Sequence, residues 1–326
     1  MKDIFRIDLQ LFAEMNTQTT LLNATGNNLS PEMKTFYDMT LIDEASAQLV
    51  HDQFGQKRPI PANGGKTIEF RKFSSLPKAL TPITEGVTPA GNKLNVSTIT
   101  ATVKQYGDYI VQSDVLELTS IDNTIVEATK ILGKQAGLTL DTVVRDVLMT
   151  GTSVQYANGK ESREALTEAD KLTVEEIQKA VAFLRAQNAP TIGDSYVAII
   201  HPYAAYDLMR DPEWIDAHKY AAPENLYTGE IGKIAGVRFV QTSEAAIATG
   251  GIFLTMVIGE GAYGVTEITG GGLQTIVKQK GSAGTGDPLD QRSSVGWKAM
   301  KTAERLVENY MVRIESMGAF SAKAPK

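Results

Sequence analysis

The chain has 326 residues, three histidines (His51, His201 and His218) and no cysteine. Thiolate zinc sites, iron–sulfur clusters, disulfides and cysteine nucleophiles are therefore excluded. No two histidines have the HExxH spacing that puts a pair of ligands on one helix face. His201 precedes Pro202 at the start of a helical pattern and reads as structural. A G-x-S-x-G nucleophile elbow is absent. Gly259-Glu-Gly-Ala-Tyr-Gly264 has dinucleotide-fingerprint spacing and follows a strand pattern. Holding a pyrophosphate there needs a helix next, whose N-terminus faces the anion. The residues that follow, Val265-Thr-Glu-Ile-Thr269, alternate like a strand, so these glycines read as turn formers. Gly65-Lys66-Thr67 looks like the end of a phosphate loop, but the first glycine such a loop needs would fall on Ile60. Carboxylates are abundant, yet no pair stands apart as an acid–base couple. The residues thus predict no catalytic, cofactor or metal site, and no enzyme.

A second chemistry is carried by charge. Residues 57–78 hold Lys57, Arg58, Lys66, Arg71, Lys72 and Lys78 against a single acid, Glu69. Residues 105–129 hold Asp108, Asp114, Glu117, Asp122 and Glu127 and no Lys or Arg. Two solvated faces would look the same, since charge runs usually face water. The alternative is that the basic segment of one copy lies across the acidic segment of another, which fixes register and partner choice more than affinity.

The elements that would position these charges are unusual. Thr67 to Arg71 alternates at the strand period, and a second leg runs from Lys93 to Lys104. In that leg the apolar phase moves from Leu94 and Val96 to Ile99, Ala101 and Val103, which predicts a bulge or a sharp twist. Between the legs, residues 74–92 carry Pro77, Pro82 and Pro89. If extended, a hairpin from Thr67 to Lys104 reaches up to ~60 Å. The remaining chain would form a body with a radius of gyration of only ~17 Å. Such a hairpin leaves its own body, unless the tip folds back as a surface loop.

Asp122-Asn123 predicts the cap of a long helix to about Met149, with an apolar stripe from Ile125 through Ala128, Leu132, Ala136, Leu140 and Val144. Gly133 and Gly137, four apart on one face, would let another backbone approach. Pro31 opens a helical pattern through Val50, and Thr173-Val-Glu-Glu176 reads as a capping box. Residues 152–170 look like a surface loop. Strands are expected at Tyr196–Ile200 and Ile252–Ile258, a turn and a strand at 230–241, and strand again toward the end through Val295, Trp297 and Tyr310 to Glu315.

The composition, 42% hydrophobic and 21% charged, is that of a globular protein. A net charge of −6 argues against binding nucleic acid by overall charge. No apolar run nears the ~18 residues of a membrane span. Asp3, Asp8, Gln10 and Glu14 interrupt any signal-peptide core, so a soluble intracellular product is expected.

Leu9-Gln-Leu-Phe-Ala-Glu14, Glu230-Ile-Gly-Lys-Ile-Ala-Gly-Val-Arg-Phe-Val240, Ile258-Gly-Glu-Gly-Ala-Tyr-Gly264 and Ser294-Val-Gly-Trp-Lys298 occur in that order. Together they resemble the major capsid proteins of tailed double-stranded DNA bacteriophages, and the motifs at 258–264 and 294–298 resemble the phage N4-type branch. The resemblance implies an α+β, HK-97-type shell fold. It places an N-terminal arm at 1–55, an extended loop at 56–111, a peripheral domain at 112–155 and 270–320, an axial domain at 156–269 and a tail at 321–326. The Gly-rich stretch 278–292 resembles the loop that meets symmetry mates at three-fold positions.

What this implies is a structural subunit that assembles into pentamers and hexamers of an icosahedral head, enclosing DNA without reading its sequence. Partners would be copies of itself, a portal, a separate scaffolding protein (some members carry a built-in scaffold before the arm) and a decoration protein. Assembly would take place in the host cytoplasm, with no membrane. Some relatives crosslink through a Lys–Asn bond; Lys72 and Lys78 lie in the matching region, but nothing identifies a partner. The other reading of the same residues is a decoration or tail component.

Overall fold

The computed structural model describes residues 21–22, 28–29, 39–45, 49–73, 76, 78–83, 85–86, 88, 91–120, 124–221, 232–282 and 287–323. The Leu9–Glu14 motif, the Asp122-Asn123 cap and the start of the Pro31 helix lie outside them. The first part of the chain contributes the short pair β1 (Leu21–Leu22) and β2 (Asn28–Leu29), then helical residues 39–45 (α1) and β3 (Gln56–Lys57). Next come β4 (Thr67–Phe73), β5 (Val96–Thr102) and β6 (Lys104–Ser113), followed by α2 (Asp114–Thr119) and α3 (Thr124–Met149). The middle of the chain holds β7 (Val154–Tyr156), α4 (Val174–Ala186), β8 (Tyr196–Ile200), α5 (Pro202–Met209) and α6 (Pro212–Ala221). The remaining strands are β9 (Lys233–Ile234), β10 (Val237–Gln241), β11 (Ile247–Ala248), β12 (Ile252–Ile258), β13 (Tyr263–Glu267), β14 (Gln274–Lys278), β15 (Arg292–Arg305) and β16 (Met311–Ser316).

Two sheets organise these elements. The first runs β7-β16-β12-β8-β10-β9, with β11 also on β12. Every residue of β8, β12 and β16 is buried, which matches the apolar runs of β8 and β12, while in β16 buried Arg313 and Glu315 pair with each other (2.9 Å). One face packs on α4, α5 and α6 through Phe253, Val257, Ile177, Leu184, Leu208 and Trp214. The other presents Ile199, Met256 and Ile258 to Val144 and Leu148 of α3.

The second sheet is built around β15, which pairs β14 and β13 along one edge and β6 along the other. Alternate residues Val295, Trp297 and Ala299 meet Leu132, Ala136 and Leu140 of α3 and Leu41 and Ala45 of α1. A helix of 26 residues is ~39 Å long, so α3 serves both sheets as a common spine. At Gly133 a Cβ would sit 2.9 Å from the Leu41 carbonyl oxygen. The expected backbone approach is thus made there by α1.

Four expectations need correction. The hairpin contains no bulge, because Thr67 to Phe73 pairs with Thr102 to Val96 in unbroken register. The phase change arises instead because Ile99 and Ala101 share the face of Phe70 at the root, while Val96 lies on the opposite face near the tip. The second leg also does not end at Lys104: the chain continues past Val103 as β6 into the other sheet. The capping box does not form. Thr173 makes no side-chain cap, Val174 N–H donates to Asp211 Oδ2 (2.8 Å), and Glu176 turns inward to accept from Gln155 Nε2 (2.6 Å). Finally, residues 152–170 are more than a surface loop. They add β7 to the sheet and bury Ala157 and Leu166 against Ile252 and Leu254.

His201 caps α5, its Nδ1 accepting from Tyr203 N–H at 3.1 Å while its ring stacks on Phe253 at 5.5 Å. Burial holds its pKa below the ordinary imidazole value. The unfolded chain then binds the proton more readily, so this stability is present at neutral pH and is lost as pH falls below about 6.5. His201→Asn keeps a cap acceptor without the titration. Urea midpoints of the wild type should fall faster than those of His201→Asn between pH 7 and 5; parallel slopes would remove His201 from the pH dependence.

Candidate inter-subunit surface

The hairpin is anchored at its root and bare at its tip. Phe70 and Ala101 are buried. A Cβ on Gly264 would lie 2.9 Å from the Phe70 ring, so β13 needs a glycine where the hairpin crosses it. Gly261, with φ of +71°, makes the preceding turn. Gly259 meets a third demand, since a Cβ there would lie 2.9 Å from the Pro190 carbonyl oxygen. A strand, not a helix, follows these glycines. Past the root, Leu76, Leu80, Ile83, Leu94 and Val96 are exposed, Leu80 by 81% and Ile83 by 75%. Side chains of this kind, freed from water, would each be worth roughly 1.5–3 kcal/mol.

The charged residues singled out above are only partly free. Lys57 pairs with Asp52 (3.4 Å) and Arg58 lies over the Phe70 ring (6.0 Å). Lys66, Arg71 and Lys78 are exposed and form no ion pair among the described residues. The side chain of Lys72 and the whole of Asp122 lie outside those residues. Among the acids, Glu117 pairs with Lys280 (3.0 Å) and Glu127 with Lys130 (2.8 Å). Asp108 accepts from Gln135 Nε2 on α3 (2.6 Å), and this bond, with one from Tyr109 N–H, holds its pKa below the usual carboxylate range. Asp114 accepts from its neighbour Val115 N–H and has no cation beside it among the described residues. Within one chain, no cation of the first set meets an acid of the second among the described residues.

An anchor that the sequence did not reveal lies under the hairpin root. His51 and Asp141 are fully buried, with Nδ1 2.6 Å from Oδ2. Asp141 Oδ1 also accepts from His51 N–H (2.7 Å) and Val50 N–H (2.9 Å). The Tyr263 hydroxyl donates to the His51 carbonyl, and burial raises its pKa. This pin ties the segment leading to β3 onto α3 and β13. Nearby, buried Lys301 Nζ reaches Asp52 Oδ1 at 2.8 Å. His51 and Asp141 are ninety residues apart, and only the apolar stripe interrupted by a charge at Asp141 hinted at a buried role.

The exposed apolar set extends to the body. Tyr109 and Val111 on β6, Ile276 on β14, and Val115, Leu116 and Leu118 on α2 are uncovered. No residue of α2 is buried. Among the described residues, no group of three or more His, Asp or Glu side chains is gathered to hold a metal, and no helix is long and apolar enough to cross a membrane.

A family model described as phage capsid protein matches residues 96–310. The capsid of cyanophage P-SCSP1u is similar, with a TM-score of 0.65 at 14% identity over 83% of this chain and 89% of that one. So is the capsid asymmetric unit of cyanophage Pam1, with a TM-score of 0.65 at 12% identity over 84% and 92%. The capsid of Ralstonia phage GP4 has a TM-score of 0.62 at 14% identity over 82% and 88%. Curated protein sequences give no match.

Replacing Asp141 by Ala leaves the buried His51 N–H, the part-buried Val50 N–H and the His51 ring without their partner. The expected loss is about 3 kcal/mol of unfolding free energy, with a smaller loss for Asp141→Asn, whose amide oxygen can still accept. Urea titration measures both. A loss well below 1 kcal/mol for Asp141→Ala would show that the pin is not a stability element.

Proposed function

The chain belongs to the phage capsid protein family and has the HK-97-type fold, and from this premise we propose that it is the major subunit of a phage head, closing by self-association into pentamers and hexamers around double-stranded DNA. One observation supports this most: the hairpin carries exposed apolar side chains away from its root, and the body leaves matching apolar surface uncovered on β6 and α2. Each copy is incomplete until another copy covers these surfaces. Contacts of this head-to-tail kind close into rings when the rotation between copies allows it. Overlapping contacts of an obligate type reach 2,000 Å² or more.

In this reading the sheet of β12 with α4 and α5 faces the ring centres, and the sheet of β15 with α3 forms the outer part of each ring. Lys66, Arg71 and Lys78 of one copy approach the acidic stretch of a neighbour, where Asp108 and Asp114 have no cation beside them among the described residues. Lys57, Arg58, Glu117 and Glu127 contribute less, because each already has a partner in its own chain. The role is structural, with no catalytic step. A net charge of −6 keeps the wall from holding DNA tightly. In the same reading a portal and a scaffold complete the assembly, which takes place in the host cytoplasm. The N4-type likeness of the motifs at 258–264 and 294–298 belongs to the same proposal.

Deleting residues 74–92 tests the reading. The shortened chain should keep the thermal midpoint of the body, since the removed segment is exposed where described. It should give no shells under negative-stain microscopy. Shells at normal yield would refute the lapping model.

A further inference from the structure

After β16 the chain turns back across α5. Met317 N–H donates to the Asp170 carbonyl (2.9 Å), and Ala319 N–H donates to Asp207 Oδ2 (3.0 Å). Gly318 N–H donates to Ser321 Oγ (2.9 Å) and closes a small turn. Asp207 is buried, and Lys171 Nζ stands 3.5 Å from its other oxygen. The Phe320 ring stacks on Tyr203 (4.7 Å) and meets Tyr206 edge-on (5.2 Å). The Ser321 carbonyl fills the space that a Cβ on Gly251 would take. Residues 317–323 thus form a strap, held by one buried carboxylate, one ring stack and a turn.

The ring stack continues into the core through a titratable group. Tyr203 packs on His201 (4.9 Å), and His201 stacks on Phe253 of β12 (5.5 Å). His201 is only 7% exposed. Its Nδ1 accepts from Tyr203 N–H, which puts the ring proton on Nε2 and leaves Nδ1 as the one lone pair that an added proton can take. Protonation therefore sets an N–H against the Tyr203 N–H, and the first turn of α5 loses its cap. Phe320 rests on the ring of that same Tyr203.

The charged groups on the elements around the imidazole all have other partners. On α5, Asp207 faces Ala319 and Lys171, and Arg210 faces the Tyr206 hydroxyl. Before α4, Asp170 accepts from Asn158 and Thr167. Glu244 after β10 lies near Arg145, and Glu315 on β16 pairs with Arg163 and Arg313. Among the described residues none of them bonds to His201. Burial alone holds its pKa down, with no carboxylate placed to stabilise the imidazolium.

We propose that the C-terminal strap is an acid-released latch: on acidification His201 takes a proton, α5 gives up its cap, and residues 317–323 lift away. The opened state binds the proton more readily than the closed one, so opening is favoured as pH falls below about 6.5. Opening uncovers Tyr203, Tyr206 and Asp207, a surface that can take an aromatic ring and a backbone N–H from another segment.

Hydrogen–deuterium exchange of the full-length chain tests this, read by mass spectrometry on fragments that separate 311–316 from 317–323 and corrected for the intrinsic effect of pH. Between pH 7.5 and 5.5 the strap amides should lose protection by about three- to tenfold, while β16 keeps its own. His201→Asn retains a cap acceptor and should hold the strap equally closed at both pH values. Phe320→Ala should leave it open at both. Wild-type protection that is equal at the two pH values, or that is lost to the same extent in His201→Asn, overturns the proposal. Loss of protection in β16 together with the strap overturns it as well, since no separate latch then exists. Should His201→Asn fail to fold, Phe320→Ala decides: strap protection as strong as in the wild type at pH 7.5 would show that the ring stack does not hold the strap.

Discussion

The pairing of β6 with β15 governs the rest of the structure. Ten consecutive residues, Lys104 to Ser113, are held in register against Lys301 to Arg292. This fixes where the chain leaves the sheet at Val103, on the far side of which β5 and β4 form a sheet of their own. Slipping the register by one residue would turn Tyr106 and Ile110, which pack toward α3, to the open side, and would bring Tyr109 and Val111 inward. The sheet's own packing therefore decides both where the hairpin begins and which apolar residues are left for another molecule.

A strand under such a constraint needs a firm base. α3 supplies it, because one helix contributes to the cores of both sheets. The His51–Asp141 pin and the Lys301–Asp52 pair fasten the segment before β3 to the same base. Phe70 on Gly264 closes the hairpin root. Load applied to the hairpin thus passes into the two cores, not into a loose loop. That is a sensible arrangement for a shell subunit, whose contacts must hold against packed DNA. Beyond the root the chain carries apolar side chains with no cover of their own, which is costly in an isolated molecule and useful in an assembly.

Elements with strong periodicity or unbroken apolar runs could be read directly. The α3 stripe, the buried strands β8 and β12 and the hairpin legs all follow from side-chain spacing, and so does the strand that follows the Gly259–Gly264 glycines. Elements decided by distant partners could not. Thr173 and Glu176 have the residue types of a capping box, but Gln155, brought in by the fold, takes up the Glu176 carboxylate, and Asp211 accepts from Val174 N–H at the helix start. The split of the second leg into β5 and β6 depends on β15, nearly two hundred residues later. Asp108 reads as a free surface acid until Gln135 of α3 reaches it.

The central claim is that the hairpin finds its resting place on another copy of the chain. A cryo-electron microscopy reconstruction of assembled particles tests it most directly. The account predicts rings of five and six copies in which density for residues 76–96 of each subunit lies against the β6 and β15 surface of its neighbour. Density that returns the same residues to the body of their own subunit, with neighbours meeting elsewhere, would contradict it.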